Sequence, residues 1–167
     1  GVLLDYVEET SKSLLPHIRA LNIDRDYQFV MLDESTQRNL ELVRNMQDGS
    51  RHYTLLSVMD HTKTAMGSRL LRSWILQPLI KKEEILTRQN NVERLYRNQM
   101  LLGEIRESLK RILDIERLTS KVAMDKANAK DLLAIRDSLS QIQTLEQIFV
   151  QWNEVNFPLF STEQART

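Results

Sequence analysis

The 167-residue sequence has no cysteine, only four glycines and three prolines, and no long apolar run. Without cysteine it can form neither a disulfide nor a thiolate-bound metal site. No apolar segment approaches the roughly 20 residues that a membrane-spanning helix requires. The few glycines do not form the G-x-x-x-x-G-K loop, closed by Ser or Thr, that binds nucleotide phosphates. These absences predict a soluble chain that does not itself hydrolyse nucleotides.

The charged residues balance to zero but are unevenly distributed along the chain. Residues 1–50 contain five basic and nine acidic side chains, whereas residues 51–97 contain nine basic and four acidic ones. One part of a domain packing against another usually satisfies such an asymmetry. The second segment contains a stripe of cations: Lys81, Lys82, Arg88, Arg94 and Arg97. Acidic residues interrupt this stripe at the spacing of self-paired helix faces, so we expect a solvated face rather than a DNA-reading surface.

Helical spacing of apolar residues dominates the sequence beyond its first fifth. Four residues have side chains that favour the start of a helix: Asp33, Thr64, Asp114 and Asn128. Strand-like composition is confined to residues 17–32, which end in a stretch rich in aromatic and branched side chains. The prediction is a mainly all-α, multi-helix bundle. It includes at most one short β ribbon near residues 17–32, or an extended segment that crosses the helices.

Two further predictions concern the extent of the elements. The helix that starts after Asp33 is expected to continue to Asp48-Gly49 and to bury three apolar residues, Leu40, Val43 and Met46. The bundle is expected to form one helical core domain over residues 1–146. Residues 147–167 are expected to be the start of a lever or a poorly ordered tail.

The most apolar predicted helix starts after Thr64 and ends near Gln77, because Pro78 disfavours a helical residue before it. Its large apolar side chains include Leu70, Leu71 and Trp74. We expect other helices to enclose it, with Trp74 as its largest buried side chain. Gly67 weakens the helix, and its presence suggests that another backbone passes close by.

Candidate chemistry is sparse. His17, His52 and His61 share no ligand-like spacing, so we predict no catalytic, cofactor-binding or metal-binding residue.

Several polar residues lie within or beside the predicted helices: Arg38, Asn39, Glu41 and Asp60. Asp60 is expected to lie near Arg69 and Arg72. These residues can contact neighbouring domains or form bonds within the domain that hold helices at fixed angles. The second interpretation is favoured, because half-buried polar groups need nearby partners.

An ordered series of motifs resembles the core domain of MutS-type DNA mismatch repair proteins. The series centres on LSVMDHTKTAMGSRLLRSW at residues 56–74, closed by Gln77-Pro78-Leu79. Further motifs precede and follow it, and together they cover roughly residues 3–145. The residues that match the family signature are Asp33, Thr36, Arg38, Asn39, Glu41, Asp60, Thr64, Gly67, Arg69, Leu70, Leu71, Trp74, Pro78, Arg88, Asp114 and Arg117.

The resemblance implies that the chain is the first half of a core and lever domain, domain III, within a longer and dimeric DNA-binding ATPase. ATP and Mg²⁺ would bind in a separate domain of that parent protein. The implied partners are its connector, clamp and ATPase domains and, through the parent, mismatched duplex DNA, but no membrane. The implied location is the bacterial cytoplasm or nucleoid. The implied role is to link mismatch binding to the ATPase without catalysis. The alternative is an autonomous helical protein–protein interaction module unrelated to repair.

Overall fold

The computed structural model describes Tyr6 and residues 28–152. Residues 28–152 contain seven helices: α1 (Glu34–Asn39), α2 (Leu55–Met59), α3 (Ala65–Leu76), α4 (Lys82–Arg97), α5 (Gln99–Leu109), α6 (Ile115–Ala123) and α7 (Ala129–Gln151). The predicted mainly all-α class is therefore confirmed. None of the described helices is both long enough and apolar enough to span a membrane.

The helix starts follow local side-chain chemistry. The four predicted N-caps are confirmed, each accepting a bond from the backbone N–H three residues later: Asp33, Thr64, Asp114 and Asn128. The Asp131 carboxylate also accepts a bond from the Asn128 backbone N–H at 3.1 Å, which completes a capping box. Such bonds satisfy N–H groups that have no partner inside a helix.

The first helix is much shorter than predicted, because α1 ends at Asn39 rather than near residue 48. Glu41 has a φ of 47°, a left-handed conformation that cannot continue a right-handed helix. Its carboxylate accepts a bond from the Met46 backbone N–H at 2.7 Å. The predicted buried stripe is wrong for the same reason. Leu40 and Met46 are exposed and Val43 is half-buried, and Leu42 is buried instead.

A loop over residues 42–54 takes the place of the missing helical turns. Its centre is the buried side chain of Asn45, whose amide donates to Ser50 Oγ at 3.2 Å and to the His52 carbonyl at 3.0 Å. The Asn45 side-chain oxygen accepts bonds from the backbone N–H groups of the turn at Asp48 and Gly49. Gly49 has a φ of 71°, the left-handed conformation that its sequence favours. These bonds give the loop a defined shape without a helix.

Within the described residues, the segment predicted to be strand-like forms a single β bridge to the residues after α3 and not a two-stranded ribbon. Phe29 pairs with Leu79 in an isolated antiparallel bridge. On either side of it, the Val30 N–H donates to the Pro78 carbonyl at 2.8 Å, and the Ile80 N–H donates to the Gln28 carbonyl at 3.2 Å. Residues 17–27 of the predicted ribbon lie outside the described residues.

The hydrophobic core lies in the bundle formed by α4 to α7. Helix α7 packs against α5 and α6, and α4 packs against α5. The buried core residues are Leu101, Ile105, Ile112, Leu145 and Phe149. Phe149 lies beyond residue 146, and Trp152 Nε1 donates to Glu104 at 2.9 Å. The core therefore includes residues on both sides of the predicted domain boundary, and residues 153–167 lie outside the described part of the chain.

Helix α3 confirms its predicted limits but not its predicted burial. Trp74 is 42% exposed, Leu70 is 52% exposed, and no residue of α3 is fully buried. The expectation of an enclosed helix was wrong. Among the described helices, α2 is the main neighbour of α3, and it has only five residues. Only Met66 of α3 packs against the core of the bundle.

The explanation offered for Gly67 is also wrong. A Cβ at this position would lie 3.0 Å from Thr64 Oγ1 and 3.5 Å from Thr62 Cβ, and no other backbone lies that close. The glycine therefore leaves room for the hydroxyl that starts the helix rather than for a crossing chain.

The burial pattern predicts a clear order of stability effects. Leu101→Ala should lower the free energy of unfolding by about 2 to 5 kcal/mol, because Leu101 is only 2% exposed in the core. Trp74→Ala should cost less, although it removes a larger side chain, because Trp74 keeps two-fifths of its surface in water. Urea unfolding of both variants measures the difference. An equal or larger loss for Trp74→Ala would mean that α3 is enclosed after all.

Candidate functional site

Four of the predicted signature residues meet at a polar junction around α3: Asp60, Arg69, Asp114 and Arg117. The junction has two centres: the carboxylate of Asp60, before the helix, and the guanidinium of Arg69, within it. We call these two centres, with the groups bonded to them, the α3 junction.

Asp60 ends α2, and its carboxylate collects bonds from three side chains. Ser68 Oγ and Thr62 Oγ1 each donate to it at 2.6 Å, and Arg51 Nη2 donates at 3.0 Å. Hydrogen bonds from Ser68 first, then from Thr62, hold the pKa of Asp60 at about 2, below the usual 3.8. The carboxylate thus ties the loop after α2 to the first turn of α3. Its predicted neighbours Arg69 and Arg72 are not among its partners.

Arg69 joins α3 to the start of α6. Its Nη1 and Nη2 donate to the two carboxylate oxygens of Asp114 at 2.8 and 2.7 Å, and its Nε donates to Glu116 at 3.1 Å. A planar guanidinium bound to a carboxylate through two parallel bonds has a defined direction as well as a charge. Arg117 adds a longer ion pair to Asp114, at 3.4 Å.

Asp114 has two roles at once. It is the N-cap of α6 and the main partner of Arg69. The bond from Arg69 lowers the pKa of Asp114 to about 2, and the two carboxylates raise the pKa of Arg69. The position of α3 and the start of α6 therefore depend on the same carboxylate.

A third attachment joins α3 to α4. The Arg88 guanidinium lies 3.7 Å from the centre of the Trp74 ring, in the geometry of a cation–π contact. Partial burial lowers the pKa of Arg88. Helix α3 is thus attached to the bundle at Met66, Arg69 and Trp74, and two of these three attachments involve a charged group.

The remaining signature residues have simpler surroundings. The Thr36 backbone N–H donates to the carboxylate of Asp33, the N-cap of α1. The Pro78 carbonyl accepts a bond from the Val30 N–H beside the bridge at residue 29. Leu71 is half-buried. Arg38 and Asn39 are exposed, and within the described residues their side chains do not form the intradomain bonds expected of them. Of the three polar residues Arg38, Asn39 and Glu41, only Glu41 has a side chain that forms a hydrogen bond within the described residues.

Sequence reasoning missed four members of the junction: Arg51, Thr62, Ser68 and Glu116. Glu116 had a usable signal, because it lies with Asp114 in the first turn of α6. Two carboxylates at one helix start favour a cation close by. Arg51 and Ser68 had no comparable signal, because only the folded loop brings Arg51, nine residues away in sequence, to Asp60.

The polar groups of the α3 junction bind one another and hold α3 in position. Its carboxylates accept from hydroxyl, amide and guanidinium groups of the same chain, and no buried side-chain polar atom in the described residues lacks a partner. No group of three or more His, Cys, Asp or Glu residues in this part of the chain could hold a metal ion. The arrangement fixes the angle of α3 against α6.

The bonds to Asp60 predict different effects of removing its partners. Ser68→Ala should raise the pKa of Asp60 toward its usual value, because the Ser68 hydroxyl makes the largest contribution to the lowered pKa. Arg51→Met should raise it less, because the Arg51 side chain is 59% exposed to screening solvent. Titration of the Asp60 carboxyl by NMR measures both shifts. A larger shift for Arg51→Met would contradict this order.

Arg69 should control part of the acid sensitivity of the chain. The pKa of Asp114 is lower in the folded state than the usual 3.8, so Asp114 stabilises the fold above that pH. This stabilisation is lost as the pH falls from about 4 to about 2. Arg69→Met should destabilise the chain at neutral pH and make its unfolding midpoint fall less steeply over that range. Arg97→Met, which removes an exposed pair with Glu93 on α4, is the matched control and should leave the slope unchanged.

Comparison with known proteins places the chain in a family. The model of MutS domain III matches residues 35–160. The DNA mismatch repair protein MutS of Pelotomaculum thermopropionicum is 46% identical over 150 residues, which are 90% of this chain and 17% of that protein. The MutS protein of Treponema denticola is 41% identical over 166 residues, which are 99% of this chain and 18% of that protein.

The chain thus spans about one-sixth of the length of these relatives. The matched region includes the whole α3 junction, from Arg51 to Arg117. The resemblance carried by the signature residues is therefore confirmed, and the chain belongs to the MutS domain III family of DNA mismatch repair proteins.

Proposed function

We propose that this chain is a structural core of a mismatch repair protein and links a part that binds mismatched DNA to a part that binds and hydrolyses ATP. The observation that supports it is the fork from Arg69 to Asp114 and Glu116, which fixes α3 to the bundle through directional bonds. Coupling between two sites needs an element whose position both sites can bias. A helix that is held at defined points and moves with the bundle as a unit meets this need.

The three attachments of α3 explain how a displacement would travel. Met66 packs on the core, Arg69 binds the start of α6, and Trp74 contacts Arg88 of α4. A force on α3 would therefore reach two helices of the bundle at once. Closely packed interiors resist compression and transmit such a displacement.

The exposed side of α3 is suited to receive that force. Leu70 and Trp74 leave much of their apolar surface uncovered by the described residues. Uncovered apolar surface of this kind is typical of contacts with other proteins or domains. We propose the connector, clamp and ATPase domains of a dimeric parent protein as the partners, in the cytoplasm or at the nucleoid, with no membrane involved.

In this proposal the chain has no catalytic role, and ATP and Mg²⁺ bind to another part of the parent protein. The absence of a phosphate-binding glycine loop from the sequence supports this assignment. Family membership argues against the alternative of an autonomous interaction module unrelated to repair.

The test is Arg69→Met in the full-length protein that contains this domain. The variant should retain basal ATP hydrolysis and mismatch binding, but the change in ATPase rate on adding mismatched DNA should fall several-fold. Arg97→Met, which removes an exposed pair on the same bundle, should leave that response unchanged. An unaltered response in Arg69→Met, with the fork shown to be lost, would contradict the proposed role.

A further inference from the structure

A cleft lies between α1, the loop over residues 42–54 and α3, on the side of α3 that carries Arg72. It consists of two adjoining hollows of about 610 and 470 Å³, which share the side chains of Val43, Arg44 and Arg72 as part of their lining. Binding pockets for small ligands and short peptide segments have volumes of this order. We call it the arginine cleft.

Three arginines from three different elements line this cleft: Arg38 of α1, Arg44 of the loop and Arg72 of α3. All three are exposed, and within the described residues none forms an ion pair or a side-chain hydrogen bond. They differ in this respect from Arg51 and Arg69 in the adjoining hollow, which are bound to carboxylates. The cleft therefore presents three guanidinium groups whose donors are not used by any side chain or carbonyl among residues 28–152.

The acidic residues of the cleft do not neutralise these cations. Glu34 and Asp48 contribute to the lining, so the three unpaired arginines exceed the carboxylates by one. Asp48 is also engaged, because its carboxylate accepts a bond from the Ser50 backbone N–H at 2.8 Å. An incoming carboxylate would find at least one guanidinium with its paired donors free, which is the geometry that arginine offers to carboxylates.

The wall of the cleft is preformed and partly apolar. Val43 and Met46 lie among the arginines, and the buried amide of Asn45 holds the loop that carries them. A preformed site binds more tightly than one that must be ordered on binding. A lining that combines arginines with the apolar side chains of Val43 and Met46 suits a peptide whose acidic side chains flank an apolar one. A phosphodiester backbone offers no apolar group to contact Val43 and Met46.

We propose that the arginine cleft is a binding site for an acidic peptide segment that presents carboxylates on either side of an apolar side chain. The segment would place its carboxylates on Arg38, Arg44 and Arg72 and its apolar side chain against Val43 and Met46. The second hollow of the cleft borders the α3 junction, because Arg51, Ser68 and Arg69 line it. The three arginines of the proposed site are not members of that junction, and the proposal does not depend on the role proposed for the junction.

The test measures binding of a fluorescent peptide, acetyl-Gly-Glu-Leu-Glu-Asp-Gly-amide, to the 167-residue chain by fluorescence anisotropy. Arg44→Met and Arg72→Met should each weaken binding about tenfold or more, and raising the salt concentration should weaken binding of the unaltered chain. Arg106→Met on α5 is the matched control, because Arg106 is also exposed, lies outside the cleft and has no side-chain bond within the described residues. It should change the affinity less than twofold. Urea unfolding midpoints equal to that of the unaltered chain show that the three variants remain folded.

Two comparison ligands separate the possible outcomes. The same peptide with Gln and Asn in place of Glu and Asp should not bind at the concentrations that saturate the acidic peptide. A labelled 12-base-pair duplex should bind more weakly than the acidic peptide and without dependence on Arg44 and Arg72. Tighter binding of the duplex through these arginines would overturn the proposal in favour of a nucleic-acid site. No binding of the acidic peptide at millimolar concentration, or an equal loss in Arg106→Met, would also overturn it.

Discussion

The fork that Arg69 forms with Asp114 and Glu116 sets the position of α3, and much of the arrangement around this helix depends on it. Apolar contact alone would leave the helix poorly placed, because only Met66 reaches the core. Contact between apolar surfaces has no preferred direction, whereas a guanidinium that binds two carboxylate oxygens allows a narrow range of angles. Because Asp114 also caps α6, a shift of α3 would disturb the first turn of that helix.

The chain divides its stabilising interactions between two regions. Helices α4 to α7 share an apolar core, in which packing supplies the stability. The region from residue 41 to residue 69 buries Leu42 and Leu56 and also contains buried or partly buried polar groups, among them Asn45, Thr54 and Asp60. Thr54 is almost fully buried, and its hydroxyl donates to the Arg51 carbonyl at 2.7 Å. Polar bonds of this kind specify one conformation of a short, irregular segment.

Polar interactions support both of the proposed functional surfaces. The exposed apolar side of α3 is backed by ion pairs and a cation–π contact, and the arginine cleft is backed by the hydrogen-bonded loop around Asn45. Both surfaces include residues of α3. An occupant of the cleft would therefore act on the same helix that the fork joins to α6, which makes α3 the common element of both proposals.

Features that depend on neighbours a few residues apart could be predicted from the sequence. The N-caps at Asp33, Thr64, Asp114 and Asn128, the end of α3 before Pro78 and the helical class all follow from local backbone and side-chain chemistry. The family signature was equally readable, because it is an order of motifs along the chain. The early end of α1 was missed, because the left-handed conformation of Glu41 is rare for such a residue and is supported by bonds from the loop that follows.

The covered surfaces and the paired charges could not be predicted in this way. Arg69 meets partners 45 and 47 residues away, so local periodicity could not show that it binds Asp114 and Glu116 rather than Asp60. Trp74 has the same helical spacing whether it faces a neighbour or water, so its exposure of 42% could not be read from the sequence. Arg38, Arg44 and Arg72 form one cleft only because the loop after α1 brings three separate segments together. Burial and charge pairing depend on which segments meet in space, and that is a property of the whole fold.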